Sequence, residues 1–284
     1  MMVTRRDVVR SMVGAAAATR FPHAAAAAVE VDTADPAFRL DAIMKMRGAT
    51  DGRICMGYVT GMRYAVVDGS ATPMFGLLAA TFSRHRKSSD TSYEARAFEI
   101  AYFTDLSTGK LLESWTNPYT NKTVKVPQTR SLMGPVEIEA EGLSPIDVAR
   151  IAALDFGHRF RSPVRIGDDV SITEEIRIRS KADAAGPRFR YNENTTYTAQ
   201  LKHIADPALA TVPTSIAYQS LVGFAPWMGF EGIDGMNMGR GLGRRIAETS
   251  EFPPYFLELT EKYHADVLHD PGGAIDGKLD RKPG

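Results

Sequence analysis

The alternation of apolar and polar residues in several segments is the feature that most constrains the fold. From Val170 to Ser180, valine and isoleucine alternate with serine, threonine, glutamate and arginine almost without interruption. From Ser92 to Phe103, large apolar residues occupy one set of positions and Glu99 lies in the other. A period of two residues is typical of a β-strand whose two faces meet different surroundings. The sequence therefore predicts a fold built mainly of strands.

The remaining strand-like segments lie between turn signals such as Asp68-Gly69 and Asn117-Pro118. The predicted strands comprise residues 54–59, 62–67, 74–82, 92–103, 110–115, 123–126, 135–139, 170–180, 189–204 and 214–222. Short turns between neighbours favour antiparallel pairing of consecutive strands. We therefore predict an antiparallel β-barrel or a strongly curved sheet with a few peripheral helices. A barrel of this kind either encloses a small ligand or fills its interior with side chains.

Helices are predicted only at the margins of the sheet. Asp35 and Pro36 suit the N-cap and the first position of a helix that ends near Met46. Further helical spacing of apolar residues lies in segments 144–154, 240–247 and 254–267.

The first 28 residues match a twin-arginine export signal. Arg5 and Arg6 precede two apolar residues and Arg10, and a weakly apolar stretch leads to an alanine run that offers A-x-A cleavage sites. We expect a signal peptide at 1–28, a single β-barrel-like domain at 29–269, and a flexible C-terminal tail at 270–284. The protein is therefore expected in the periplasm, after folding in the cytoplasm and passage through the twin-arginine export machinery.

The composition argues against several classes of partner. Removal of residues 1–28 takes away four arginines and one aspartate, which leaves 30 basic and 33 acidic residues. This balance gives no electrostatic case for binding nucleic acid or an anionic membrane. No later segment has the roughly 18 apolar residues of a membrane span. The single cysteine, Cys55, excludes an internal disulfide, and its apolar neighbours predict a buried thiol. The oligomeric state is left open.

Strong motifs for metals, cofactors and nucleophilic hydrolysis are missing from the sequence. None of the six histidines has the spacing of a zinc motif, and no G-x-S-x-G segment is present. The glycines from Gly239 to Gly243 follow no strand signal, which favours a turn before a helix over a dinucleotide site. His85, beside two arginines at a strand end, is expected at the rim of the barrel. We predict no metal and no cofactor.

Two motifs with aromatic and proline residues at fixed offsets carry a family resemblance. The first is D-x-x-T-G at 105–109 with W-x-N-P at 115–118, and the second is P-W-M-G at 226–229 with a glycine- and arginine-rich segment at 239–245. Over about residues 31–268 the chain resembles a bacterial family of exported proteins known as domain of unknown function 1838. The resemblance implies export and a β-rich fold but no particular chemistry. After the first motif this chain lacks the histidine-containing strand expected in many relatives.

Ionisable and aromatic residues on the predicted strands are the candidates for a site. If Phe98 and its apolar neighbours pack outward, Glu99 points into the barrel, where a dry carboxyl is suited to general acid–base work. The alternative is a Glu99 that faces solvent and pairs with a lysine. The proposed catalytic roles are Glu99 as base, Tyr102 or Tyr58 as proton donor and Arg63 as partner of a developing oxyanion. The predicted substrate-binding residues are Tyr93, Trp115, Tyr197, Tyr218 and Trp227.

These candidates favour a periplasmic, cofactor-independent enzyme, a lyase or isomerase acting by acid–base chemistry. Its expected substrate is a small hydrophobic molecule of aromatic or phenolic character. The alternative is a non-catalytic periplasmic carrier of a lipophilic small molecule. A third hypothesis is a passenger that receives a cofactor before export.

Overall fold

The computed structural model describes residues 32–144, 154–181 and 189–277. The predicted signal peptide and nearly all of the predicted helix at 144–154 lie outside this part of the chain. The helices are α1 (Pro36–Arg47), α2 (Leu201–Ile204), α3 (Pro254–His269) and α4 (Pro271–Ile275). The strands are β1 (Ile54–Val67), β2 (Ser70–Ser89), β3 (Ser92–Thr104), β4 (Ser114–Thr116), β5 (Thr123–Lys125), β6 (Thr129–Glu139), β7 (Gly142–Leu143), β8 (Leu154–Phe160), β9 (Val164–Ile166), β10 (Asp169–Ser180), β11 (Arg190–Gln200), β12 (Ser215–Gly223) and β13 (Met236–Ile246).

The described strands form a nearly closed antiparallel barrel, as the sequence predicts. The strand order is β7-β6-β3-β2-β1-β13-β12-β11-β10-β8, with β9 beside β10 and β4 paired only with β5. The two ends of this order meet. The Phe160 N–H donates to the Glu141 carbonyl at 3.1 Å, and the Leu143 N–H donates to Nδ1 of His158 at 3.1 Å. A sheet whose edges meet has an inside and an outside, so each strand presents one face to the interior.

Strands β1 and β13 approach closely because glycines face each other across them. Gly61 pairs with Gly241. A Cβ added at Gly61 would lie 2.0 Å from the Arg240 carbonyl oxygen, so only glycine fits there. Glycine in a strand marks a close backbone approach or a barrel corner. The predicted helix at 240–247 and the predicted turn at 239–243 are therefore wrong, because this segment is part of β13.

Helix α1 closes one mouth of the barrel. Asp35 caps it by accepting from the Ala37 N–H at 3.1 Å, as predicted. Its buried residues include Leu40, Ile43 and Met44. They pack with interior-facing strand residues in one apolar cluster, whose further members include Tyr93, Ile138, Phe160, Val170 and Ile172. Burial of this face removes apolar surface from water and so stabilises the position of helix α1 in the mouth of the barrel.

Helix α3 packs on the outer surface of strands β1 to β3. Phe256 and Leu259 of α3 are buried against Phe98 and Ile100 of β3. The apolar face of β3 therefore points outward, and Glu99 points inward. The segment predicted as a flexible tail begins with helix α4, because Ala274 and Ile275 join this same cluster and are buried.

The second mouth of the barrel carries both aromatic motifs. Asn117 of the W-x-N-P motif is buried, and its Nδ2 donates to the carbonyls of Met228 at 3.0 Å and Gly229 at 3.1 Å. Around them lies an apolar cluster that includes Phe75, Leu77, Phe103, Met228 and Phe230, with Trp115 and Trp227 packed against it. The motif residues thus hold the connections at this end of the barrel together.

Candidate active site

A layer of ionisable and polar side chains lies inside the barrel, between the apolar clusters at its two mouths. We call this layer the polar belt. It consists of Arg47, Arg63, Thr81, His85, Glu99, His158, Glu174, Tyr191, Glu193, Thr195, Tyr197, Tyr218, Ser220 and Arg245. All of these residues except Arg47 lie on strands, in positions whose side chains face inward.

Glu174 is the buried centre of one half of the belt. Its Oε2 lies 3.1 Å from Nε of Arg47, and its Oε1 lies 2.7 Å from Nε2 of His158. The Tyr197 hydroxyl donates to Oε2 at 3.1 Å. Burial opposes ionisation of Glu174, but the charge of Arg47 and the hydrogen bonds outweigh it and lower its pKa to about 2. Glu174 is therefore ionised at neutral pH and is committed to these partners.

The two histidines of the belt each accept a hydrogen bond through one ring nitrogen. Nδ1 of His158 accepts from the Leu143 N–H, so the ring proton lies on Nε2 and is donated to Glu174. Nε2 of His85 faces Nη1 of Arg47 at 3.1 Å and must accept from it. Burial and the charges of Arg47 and Arg245 hold the pKa of His85 well below 6.5. The prediction that His85 lies at the rim is wrong, because its side chain is completely buried.

Arg245 binds the end of helix α1. Its Nη1 donates to the Arg47 carbonyl at 2.5 Å, and its Nη2 to the Gly48 carbonyl at 3.5 Å. A cation at the carbonyl end of a helix compensates the unpaired acceptors there. Helix α1 is thus bound to the barrel wall by two contacts, that of Arg47 with Glu174 and that of Arg245 with the last carbonyls of the helix.

Glu193 is the carboxyl group with the most strongly raised pKa in the described chain. Burial and the charge of Glu99 raise its pKa to about 7, against the lowering effect of hydrogen bonds from Tyr191 and Thr195. The Thr195 hydroxyl donates to Oε1 of Glu193 at 3.1 Å. Burial raises the pKa of Tyr191 as well, so Tyr191 keeps its proton and remains a donor. Glu193 is therefore poised to exchange a proton near neutrality.

Glu99 faces a part of the interior that solvent reaches, which we call the hollow. It pairs in register with Thr81 on one side and Ser131 on the other, and the Thr81 hydroxyl donates to its Oε1 at 3.4 Å. Both Glu99 and Ser131 are exposed, although their side chains point into the barrel. The space beside them is therefore large enough to admit water. Burial within the surrounding wall still raises the pKa of Glu99.

Arg63, Tyr218 and Ser220 form a separate group on β1 and β12. Nη1 of Arg63 donates to the Ser220 hydroxyl at 3.0 Å and Nη2 to the Tyr218 hydroxyl at 3.5 Å, while Tyr218 donates to Ser220 at 2.8 Å. The backbone of Gly239 lies beneath the guanidinium, and a Cβ there would come within 2.6 Å of Nη1. The charge of Glu99 acts on Tyr218, and Arg63 acts on Glu99, so this group adjoins the hollow.

The structure brings together four of the nine residues predicted from the sequence: Glu99, Arg63, Tyr197 and Tyr218 all belong to the belt. Tyr93 faces inward but lies in the apolar cluster around α1. Trp115 and Trp227 lie at the opposite mouth, 5.6 Å and 6.1 Å from the Phe75 ring.

Tyr58 and Tyr102 are on the wrong side of the sheet for the roles expected of them. The Tyr58 ring packs 5.2 Å from Phe256, and Tyr102 packs 5.6 Å from the same ring, both under helix α3. The Tyr102 hydroxyl donates to Thr260 of α3 at 3.3 Å. They are separated from Glu99 by the sheet itself, because residues of even and odd number on β3 point to opposite faces.

Sequence reasoning missed Glu193, Glu174, Arg47 and Arg245. A signal for Glu174 was present, since it occupies the same alternating set as the valines and isoleucines of β10. Strand β11 carries polar residues on both faces, which in a barrel indicates a polar interior. The two arginines gave no such signal, because Arg47 is the last residue of helix α1 and Arg245 follows a glycine-rich segment.

No group of three or more His, Cys, Asp or Glu side chains in the described ranges is arranged to hold a metal ion. No helix in those ranges is both long and apolar enough to cross a membrane. Fold and site together define a small antiparallel barrel with a partly hollow, ionisable interior.

The chain belongs to the family described as protein of unknown function DUF1838, whose model matches residues 55–264. The match lies inside the range expected from the sequence motifs and includes both of them. No curated protein matches the chain.

Proposed function

We propose that the protein is an enzyme that catalyses proton transfer on a small organic molecule bound inside the barrel, as a lyase or isomerase without a redox cofactor. The observation that carries this proposal is the pair of carboxyl groups, Glu193 and Glu99, on the interior wall beside a space that admits water. Their pKa values are both raised, and the charge of one acts on the other. Two carboxyl groups that interact in this way favour a state in which one is protonated and one ionised.

Glu99, whose charge raises the pKa of Glu193, is the ionised member of this pair and acts as the base, and Glu193 is the protonated member and acts as the acid. An acid with a pKa of about 7 is matched to proton donation near neutral pH. Tyr191 donates to Glu193 and so orients the carboxyl group that gives up the proton. Positive charge from Arg63 offsets the negative charge that develops on an enolate or phenolate. Glu174 takes no part in the transfer, since it is bound to Arg47 and His158.

Aromatic residues at one end of the belt support an aromatic or phenolic substrate. Tyr218 packs against the cluster that contains Phe75, Phe103 and Trp227, so a flat ring would lie beside these side chains. The twin-arginine pattern at residues 5–10 supports a periplasmic site of action.

The alternative function is that of a carrier for the same class of small molecule. A hollow barrel serves both roles. The enzyme is favoured because two interacting carboxyl groups lie in the interior, whereas a carrier needs only one hydrogen-bonding group to hold its ligand. The substrate is first identified by mass spectrometry of compounds that co-purify with the mature protein.

The two functions are then separated by hydrogen exchange in deuterated water. The enzyme is expected to incorporate deuterium at the acidic C–H position of the bound compound, and Glu193→Gln and Glu99→Gln each slow this exchange by at least about 100-fold. Glu94→Gln is the control, because Glu94 is on β3 but faces outward and pairs with Arg96. Tight binding with no exchange above the uncatalysed rate contradicts an enzyme and supports a carrier.

A further inference from the structure

Arg63 has no ion pair among the described residues, whereas Arg47 is paired with Glu174. Arg245 has no ion pair in this part of the chain either, but it compensates the last carbonyls of α1. Among the described residues, the guanidinium of Arg63 donates to the hydroxyls of Ser220 and Tyr218 and lies 5.9 Å from the centroid of the Tyr218 ring. Its Nε is buried and has no hydrogen-bond partner. A partly buried cation with only neutral partners is electrostatically unsatisfied, and a bound anion corrects this.

The guanidinium is also held in one orientation. Ser220 is buried, and it accepts from both Arg63 and Tyr218. Gly239 leaves the room that the guanidinium needs to lie across β13. Two of the five N–H groups are used in these contacts, and three remain. A planar fork fixed in this way is suited to a carboxylate, which takes two parallel N–H bonds.

The position of Arg63 relates this anion site to the proton-transfer pair. Tyr218 and Ser220 adjoin both groups, because the Tyr218 hydroxyl meets Arg63 and Ser220 pairs in register with Glu193. The ring of Tyr218 continues into the aromatic cluster at the mouth of the barrel. The apolar part of a ligand whose anionic group binds Arg63 would therefore lie along this cluster and beside the carboxyl groups.

We infer that the substrate is an aromatic or otherwise apolar carboxylate whose carboxylate group binds to Arg63, held in place by Tyr218, Ser220 and Gly239. This inference rests on the proposed function for the reaction but not for the binding. It changes the expected role of Arg63 from partner of a developing charge to anchor of a permanent one.

Ligand titrations of the mature protein with formate, benzoate and benzamide test this inference. The Nε–Hε signal of Arg63 is followed by ¹⁵N NMR at low ionic strength, with assignment by its loss in Arg63→Gln. Benzoate is expected to shift this signal and to bind at least about tenfold more tightly than the neutral benzamide. Arg63→Gln is expected to abolish this preference. Arg240→Gln is expected to preserve it, since Arg240 follows Gly239 on β13 but its side chain is exposed.

Three results would overturn the inference. They are equal affinity for benzoate and benzamide, a preference for benzoate that persists in Arg63→Gln, and no shift of the Arg63 signal with any of the probes. The last result is read from the wild-type protein, so it does not depend on how well the variant folds. Anion binding at Arg63 without hydrogen exchange contradicts the proposed enzyme alone. Exchange that requires Glu193 but acts on neutral compounds contradicts the anion site alone.

Discussion

Nε of Arg47 lies 3.1 Å from Oε2 of Glu174, and this pair joins the last turn of helix α1 to the middle of strand β10. Both side chains are largely buried, with 19% and 4% of their surface exposed. The helix that closes the barrel is thus fixed from within by a charged contact as well as by its apolar face. A contact of this kind places the helix at one depth in the mouth, whereas apolar packing alone tolerates small shifts.

Replacement of Glu174 by glutamine is expected to destabilise the protein by about 3–5 kcal/mol. The change leaves the charge of Arg47 buried without a counterion. Removal of one partner of a buried ion pair costs more stability than replacement of both by apolar residues. The free energy of unfolding is measured by urea denaturation. Glu175→Gln is the control, since Glu175 pairs with Arg159 and Arg161 on the outer face and should cost less than about 1 kcal/mol. Equal losses in the two variants would contradict a structural role for the inner pair.

Stability is expected to fall as the pH rises from about 4.5 to about 7. Glu193 has a pKa of about 7 in the folded chain and an ordinary value of 4.5, so the folded state binds more protons between these limits. The loss amounts to at most about 3 kcal/mol. In Glu193→Gln this part of the pH dependence should disappear. A wild-type profile that is flat or rising over this range would contradict the raised pKa.

Below about pH 4.5 stability is expected to rise with pH, because of Glu174. Its pKa of about 2 is lower than the ordinary value of 4.5, so the unfolded state binds more protons there. The stability that Glu174 contributes is present above about pH 4.5 and is lost as the pH falls towards 2. Urea denaturation of wild type and Glu174→Gln between pH 2.5 and 5 measures this. The difference between the two proteins should shrink with falling pH, and a constant difference would contradict it.

Much of the fold was predictable because alternation survives wherever the two faces of a strand differ. The alternation in β3 predicts that Glu99 and Phe98 lie on opposite faces, and the packing of α3 on the Phe98 face decides that Glu99 is the inner one. Strand β13 was mistaken for a helix, since glycines at 239, 241 and 243 remove the side chains from which a period is read. The belt was only partly predictable. The partners of Arg47 are His85 of β2 and Glu174 of β10, and no local sequence pattern indicates that these distant residues are in contact.

Tyr102→Phe is expected to lower stability by about 1 kcal/mol and to leave hydrogen exchange unchanged. Its hydroxyl donates to Thr260 at 3.3 Å in a fully buried position, and a buried hydrogen bond of this kind contributes about that much. The residue lies under α3, on the face opposite the belt. Urea denaturation and the deuterium assay measure the two effects. A large loss of exchange with normal stability would return Tyr102 to the catalytic role that the sequence first suggested.

The most direct test of an ionisable, hollow interior is a ¹³C NMR titration of the glutamate side-chain carboxyl carbons in the mature protein, in wild type and in Glu99→Gln. We expect Glu193 to titrate near pH 7 in wild type and at a lower pH in Glu99→Gln, because the charge of Glu99 raises the pKa of Glu193. A Glu193 that titrates near 4.5 in both proteins would show that the two carboxyl groups do not meet inside the barrel, and the proposed proton transfer would be contradicted.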